Sequence, residues 1–389
     1  MDDVWLSAHE SRLADFRATV EETTDPSDYP HATAVTGNVP VYDSEQLRRR
    51  ARTDAGRRDV QGELVRVLLT GPGIAVFRAA FDDLSIVDRT TDAFTAMIAE
   101  QRAAGTASGD HFAKPGANDR VWNALEKLAR REPQVFADYY ANDVIALVSS
   151  AWLGPGYQVT SQVNVVNPGG AAQSPHRDYH LGFQSTDTAA QYPRHVHRLS
   201  PALTLQGAVA HCDMPVETGP TMYLPHSQKY EPGYLAVGHP EFDDYFAAHH
   251  VQLPLTKGDA VFFNPALLHG AGHNRSADVR RMANLLQVSS GFGRAMESVD
   301  REAMSNALFP TLLERRRSGA DDAALKCVIA ASAEGYAFPT NLDQDQPVGG
   351  LAPPSQADVV WRALREDWAP TDLALELRAH TGRRRTGER

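Results

Sequence analysis

In the stretch Ser174-Pro175-His176-Arg177-Asp178-Tyr179-His180, an imidazole and a carboxylate stand two residues apart. On an extended backbone that spacing puts His176 and Asp178 on one face. A ring nitrogen and a carboxylate oxygen can then grip one cation from the same side. Such a pair arises often by chance, and it leaves the ion half held. A third ligand must come from a distant segment. The candidate is His269, in Phe262-Phe263-Asn264-Pro265-Ala266-Leu267-Leu268-His269-Gly270, and His273, after a Gly-rich turn, is its rival.

Two imidazoles and one carboxylate on one side of an ion, with the other positions open, form the ligand set of non-haem Fe(II) oxygenases. A second charged group belongs to the same pattern. Arg280 follows His269 by eleven residues and opens a run of alternating character. One face of that run carries Met282, Leu286 and Val288 with Asn284; the other carries Arg281, Ala283, Gln287 and Ser289. The more apolar face is expected to point inward, which makes Arg280 rather than Arg281 the inward guanidinium. A buried guanidinium needs an anion, and a carboxylate matches its fork. The metal pair, the late histidine and the arginine together ask for a carboxylate-bearing molecule beside a metal. A binding barrel without turnover is the alternative, but it has no use for a carboxylate clamp. No His-Glu-x-x-His helix supports a zinc hydrolase.

The other candidates have blander readings. His180, His195, His197 and His211 are expected as loop or packing residues, because His195-x-His197 has no carboxylate at suitable spacing. Cys212 and Cys327 are expected to be inert packing residues.

The 389 residues carry 42% hydrophobic and 22% charged side chains, ordinary for a globular chain with a sizeable core. A net charge of −11 argues against a general affinity for nucleic acid or anionic membrane. Two cysteines give no disulfide framework, no apolar run approaches a membrane span, and the first residues lack a signal-peptide pattern. Together these point to a cytoplasmic protein acting on a small molecule. Arg383-Arg384-Arg385 is expected to be a frayed basic tail.

Periodicity divides the chain into three parts: a helical extension over 1–70, a mainly β domain with supporting helices over 71–295, and a helical extension over 296–389. Tyr157–Val166 alternates apolar and polar residues, as a strand with one face of each kind does. Further strands are expected at 74–77, 203–213, 221–224, 253–256, 260–263 and 280–289. Ser355 is a good N-cap for the helix after it. Short strands separated by turns suggest a β-sandwich or barrel.

Several phrases now combine. His176-x-Asp178, His269 and Arg280 resemble the motif of the phytanoyl-CoA dioxygenase (PhyH) family of Fe(II)/2-oxoglutarate oxygenases. Asn167-Pro168-Gly169-Gly170 lies before the pair, and Gly219-Pro220-Thr221-Met222-Tyr223-Leu224-Pro225-His226-Ser227-Gln228-Lys229 resembles a turn of that family. Lys257-Gly258-Asp259 precedes the distal histidine, and His269-Gly270-Ala271-Gly272-His273-Asn274-Arg275-Ser276 is similar to the family's histidine run. The resemblance covers roughly residues 70–295. Ala271 and His226 depart from it, standing where Ser and Gly are usual.

The resemblance implies a double-stranded β-helix, a jelly-roll or cupin-like barrel, with helical extensions. It implies Fe(II) on His176, Asp178 and His269, O2 at the open site, and 2-oxoglutarate with its far carboxylate on Arg280. Asn164 looks from a polar strand face into the barrel and is a candidate cosubstrate contact, as is Gln206. His111 and Lys114 in a long polar loop are candidate substrate contacts. The implied outcome is hydroxylation of a small metabolite, with desaturation, epoxidation or cyclisation as alternatives. Related halogenases carry a small residue in place of the carboxylate, which opens a site for chloride. Asp178 closes it here, so product mass spectra in chloride buffer should show oxygen gain or hydrogen loss and no chlorine.

Overall fold

The computed structural model describes residues 4–106 and 116–386. Its strands are β1 (Ala34–Thr36), β2 (Val39–Asp43), β3 (Ile74–Arg78), β4 (Asn118–Val121), β5 (Gln158–Val166), β6 (Thr204–Ala210), β7 (Met222–Tyr223), β8 (Val251–Gln252), β9 (Ala260–Phe263), β10 (His269–Gly270) and β11 (Arg281–Ser289). Among the described residues they form a large sheet in the order β1-β2-β3-β9-β6-β11-β5-β4 and a small one in the order β10-β7-β8. The large sheet is mixed: β2 and β3 run parallel, and its other neighbours run antiparallel.

The alternation of β5 and β11 sets the layers, because successive side chains leave a strand on opposite faces. Val159, Val163 and Val165 of β5 share the main core with Met282, Leu286 and Val288 of β11. Helices Leu84–Ala103, Pro133–Tyr140, Asp143–Leu153, Arg301–Arg317 and Asp322–Ser332 also supply buried side chains to this core. The other face of the sheet looks toward the small sheet. There Val76, Ala208, Ala210, Val261 and Phe263 meet Tyr223 and Leu267 in a second apolar cluster.

Both ends of the chain join these layers. The first 70 residues were expected to be helical; instead they also supply β1 and β2 to the large sheet. The β1–β2 hairpin is short, and Pro40 inside the second run argues against a strand in the sequence. Helix Arg301–Arg317 buries Leu308, Phe309 and Leu312 in the main core. Its Arg301 guanidinium donates to the Val159 carbonyl at 2.9 Å. Ser355 and Asp358 form the capping box that starts helix Gln356–Arg365. Arg383 and Arg384 do not fray. They close helix Pro370–Arg384, with Arg383 paired to Glu376 at 3.0 Å and Asp345 at 3.3 Å. The sequence signal for this helix is weak because its short apolar stripe, Leu373 and Leu377, is flanked by charge. Among the described residues, no helix is long and apolar enough to cross a membrane.

Because Leu308 is fully buried where the C-terminal helices meet the sheet, Leu308→Ala should lower unfolding stability by roughly 2–5 kcal/mol. Chemical denaturation followed by circular dichroism measures it, and a single cooperative transition is expected.

Candidate metal centre and cosubstrate cavity

Two distant segments are locked side by side before any ion is considered. His176 and His269 exchange backbone hydrogen bonds, His176 N–H to the His269 carbonyl at 2.9 Å and the reverse at 3.1 Å. Asp178 N–H donates to the Pro265 carbonyl at 2.8 Å. Ser227 ties the two segments again. Its hydroxyl oxygen accepts from Leu268 N–H at 2.8 Å, and its carbonyl accepts from Arg177 Nη2 at 3.2 Å. Arg177 lies between the two candidate ligands in sequence but is fully buried, its guanidinium 4.7 Å from the Tyr234 ring centre. The Ser227 turn starts from His226, which adopts a left-handed backbone with φ 68°. This is the position where Gly was usual. Here the imidazole Nε2 lies 3.1 Å from Thr24 Oγ1, so a polar contact to the N-terminal segment accompanies the unusual backbone.

His176, Asp178 and His269 each offer one ligand atom, all within 4.8 Å of one another. The tautomers suit a cation. His176 Nδ1 lies 2.8 Å from the Ser174 carbonyl and His269 Nδ1 lies 3.0 Å from the Leu267 carbonyl. A carbonyl accepts only a proton, so each Nδ1 carries the hydrogen and each Nε2 presents its lone pair. The Nε2 atoms stand 3.7 and 3.5 Å from the Asp178 carboxylate. Burial opposes ionisation of Asp178, but the neighbouring imidazoles in their protonated form, His269 first, and the Gln206 amide outweigh it and hold the carboxyl well below its usual range; with both rings in the ligating tautomer, a cation between them would take that role. Gln206 Nε2 donates to Asp178 Oδ2 at 2.6 Å. His273, the rival ligand, is exposed and stands outside this group.

The cluster opens on a cavity of about 550 Å³ lined from both sheets. Its wall on β11 is Arg281, Ala283, Leu285 and Gln287, the opposite of the expected face. Arg281, not Arg280, points inward. Arg281 is 6% exposed, whereas the Arg280 side chain is 48% exposed and paired with Asp119 at 3.1 Å and Asn167 at 3.2 Å. The inward argument assumed that a strand's more apolar face is the buried one. Here both faces are covered, and the more apolar one lies under the helices. The alternation of β5 held the clue, since its polar face was the one expected to look inward.

Arg281 donates to the Gly219 carbonyl. Gly219 has φ 69°, and a Cβ there would lie 2.3 Å from the His273 carbonyl oxygen, so only glycine allows this close turn. Burial pushes the Arg281 guanidinium down to about 10. Among the described residues no carboxylate pairs with it. Asn164 and Gln206 both line the cavity, and each has an amide oxygen without a hydrogen-bond partner. Tyr223 and Phe263 pack against His269, ring centres 6.4 and 4.8 Å away. His111 and Lys114 lie outside the described residues. His211 is a packing residue that donates or accepts between Thr91 and Tyr139 at 2.8 and 3.0 Å, and burial lowers its pKa to about 3.

The family model described as phytanoyl-CoA dioxygenase (PhyH) matches residues 70–282. No curated protein sequence matches the chain. Among solved structures it is similar to the non-heme alpha ketoglutarate dependent epimerase SnoN from nogalamycin biosynthesis, with 18% identity over 61% of this chain and 84% of that one, TM-score 0.39. It is also similar to the non-heme alpha ketoglutarate dependent carbocyclase SnoK from the same biosynthesis, with 19% identity over 60% of this chain and 86% of that one, TM-score 0.42.

Because Gln206 orients Asp178 from behind, Gln206→Ala should weaken divalent-metal binding about 10- to 100-fold, the usual effect of losing such a contact. Anaerobic Fe(II) titration measures it, with thermal melting as the check that the variant folds.

Proposed function

This chain belongs to the phytanoyl-CoA dioxygenase family and is a 2-oxoglutarate-dependent non-haem iron oxygenase using Fe(II), 2-oxoglutarate and O2; from that premise we propose that it hydroxylates a small molecule held in the cavity beside His176, Asp178 and His269. The two sheets facing this cavity are then the halves of a double-stranded β-helix. A limit near residue 295 separates that barrel from the helices that brace it, whereas the segment before residue 70 adds β1 and β2 to its large sheet.

The observation that carries the reading is Arg281, a buried guanidinium without a carboxylate partner in the same cavity as the three ligand atoms. An uncompensated buried charge is costly. A dicarboxylate bound between the arginine and the ligand cluster removes that cost, and its far carboxylate meets a fork-shaped donor. His176, Asp178 and His269 would hold the iron, and the donor set fits: two neutral imidazoles and one ionised carboxylate, with no fourth protein ligand among the described residues. Bound iron supplies the redox chemistry, coupling the oxidation of 2-oxoglutarate to succinate and CO2 to oxidation of the substrate by O2.

The chain's own residues do the rest. The carbonyls of Ser174 and Leu267 keep both imidazoles in the ligating tautomer. Gln206 occupies one carboxylate oxygen of Asp178, which leaves the other for the metal. The free amide oxygen of Asn164 faces the cosubstrate space. Leu253, Leu255 and Val261 line the cavity with apolar surface, which excludes water and favours charge pairing inside.

The test is 2-oxoglutarate consumption and succinate release by the iron-loaded chain, with and without Arg281. Arg281→Ala removes a buried charge contact worth roughly 2–5 kcal/mol, so the KM for 2-oxoglutarate should rise about 30-fold or more. Arg280→Ala should raise it by no more than about fivefold, the scale of an exposed ion pair. Equal effects from the two variants, or no cosubstrate consumption by the unaltered protein under any condition, would sink the reading.

A further inference from the structure

The cavity has a second charged group that neither the metal nor the cosubstrate uses. Glu297 lies between β11 and helix Arg301–Arg317 and lines the same cavity as Asp178 and Arg281. Its carboxylate is held in place. Oε1 accepts from Asn123 N–H at 3.0 Å, and the segment is braced by Asn123 Nδ2 on the Ser298 carbonyl at 3.2 Å and Glu126 on Asp300 N–H at 3.0 Å. Asn123 itself takes a left-handed backbone, φ 53°, in making these contacts. The other oxygen, Oε2, is buried and makes no hydrogen bond of good geometry, although the Gln162 amide lies close enough to favour the ionised carboxylate. Burial raises the Glu297 pKa, against smaller opposing effects of the Asn123 N–H, Gln162, Arg120 and Lys127.

The fold gains nothing from that second oxygen. An amide or a shorter side chain would fill the space without the cost of a buried, half-satisfied carboxylate. Groups of this kind in a cavity beside a reactive centre mark function. The neighbouring wall is polar too. Gln162 lies two residues before Asn164 on the same face of β5, and its amide oxygen accepts from Arg120 Nη2. The Arg120 guanidinium in turn stacks 4.4 Å from the Trp122 ring centre. The cavity therefore has one end with a cation for a carboxylate, at Arg281, and a separate wall where the Glu297 acceptor stands beside Gln162 and the Arg120 guanidinium.

Resting on the oxygenase reading above, we propose that Glu297 is the substrate-recognition residue of this cavity. Its substrate presents an N–H or O–H donor, an amine or a hydroxyl, rather than a carboxylate or a bare acyl chain. The donor fills the vacancy at Oε2, and the fixed carboxylate anchors the molecule with one end toward the metal ligands. An ammonium would also neutralise the buried charge, and charge-assisted hydrogen bonds are the stronger ones.

The test uses the full chain loaded with Zn(II), which occupies the ligand cluster without turnover, and ligand-observed NMR titration. The probes are matched amines, alcohols and carboxylates on hexyl, cyclohexyl and phenylethyl skeletons, each with and without 2-oxoglutarate. Amines or alcohols should bind saturably and at least about tenfold more tightly than the matched carboxylates, a difference of about 1.4 kcal/mol. Two variants separate the donor types. Glu297→Gln keeps a neutral acceptor, so amine binding falls about tenfold while alcohol binding persists; Glu297→Leu loses both. Carboxylates binding best, no binding by any amine or alcohol, or binding indifferent to both substitutions would each overturn the proposal. Where a variant does not melt cooperatively, the ranking on the unaltered protein decides. 2-Oxoglutarate titrated in the same samples separates the two readings. If it binds and the donors do not depend on Glu297, only this inference falls; if it does not bind, the cosubstrate reading falls first.

Discussion

The site depends on the paired backbones of His176 and His269. Each imidazole gains its position from the other's strand, because the two residues exchange both their N–H···O bonds. Neither segment is long enough to be rigid alone: β10 is two residues, and His176 makes only an isolated bridge. Ser227 accounts for the stiffness, accepting from Leu268 with its hydroxyl and from Arg177 with its carbonyl. A small residue on a turn thus couples both ligand-bearing segments. The Arg177 contact also explains why the residue between the two candidate ligands is a large cation: it plugs the reverse side of the segment while His176 and Asp178 face the cavity.

The large sheet is buried on two sides with different chemistry. Toward the helices it presents valine, leucine and methionine, with Asn284 donating to the Tyr139 hydroxyl at 3.2 Å while its amide oxygen stays without a partner. Toward the small sheet it presents Asn164, Gln162, Gln206, Gln287 and Arg281 among alanines and leucines. The helical layer carries the stability of the domain. That leaves the cavity face able to keep polar atoms unsatisfied, a cost that active sites commonly impose on their folds. It also accounts for the C-terminal helices, which complete the covering of the sheet and position Glu297 at its edge.

Charge inside the cavity is sparse, and only on the Glu297 wall does it come with an opposite charge, Arg120, close by. Asp178 is matched to the histidines, Arg281 has only a backbone carbonyl, and Glu297 has one oxygen satisfied and one not. In surroundings of low polarity such groups attract partners strongly and discriminate by sign. Arg281 at one end and the Glu297 carboxylate beside Arg120 on another wall give two molecules distinct places in one cavity.

The amino-acid sequence by itself picked out His176, Asp178 and His269 as the candidate set, with His273 as the rival, because His-x-Asp, a late histidine and the turn phrases between them are local; the structure brings the first three within 4.8 Å of one another and leaves His273 outside. It also determined several elements: the alternation at 158–166, the short apolar run at 260–263 after its turn and the helix at 301–317 all appear where their residues place them. Which arginine enters the cavity was not local. Alternation says that Arg280 and Arg281 point to opposite sides, but which side is the cavity depends on where the helices lie, and only the tertiary structure places them over the more apolar face. Glu297 was invisible for the same reason. It follows the last strand in an irregular segment with no pattern, and becomes part of the cavity only when Asn123, distant in sequence, fixes its carboxylate there.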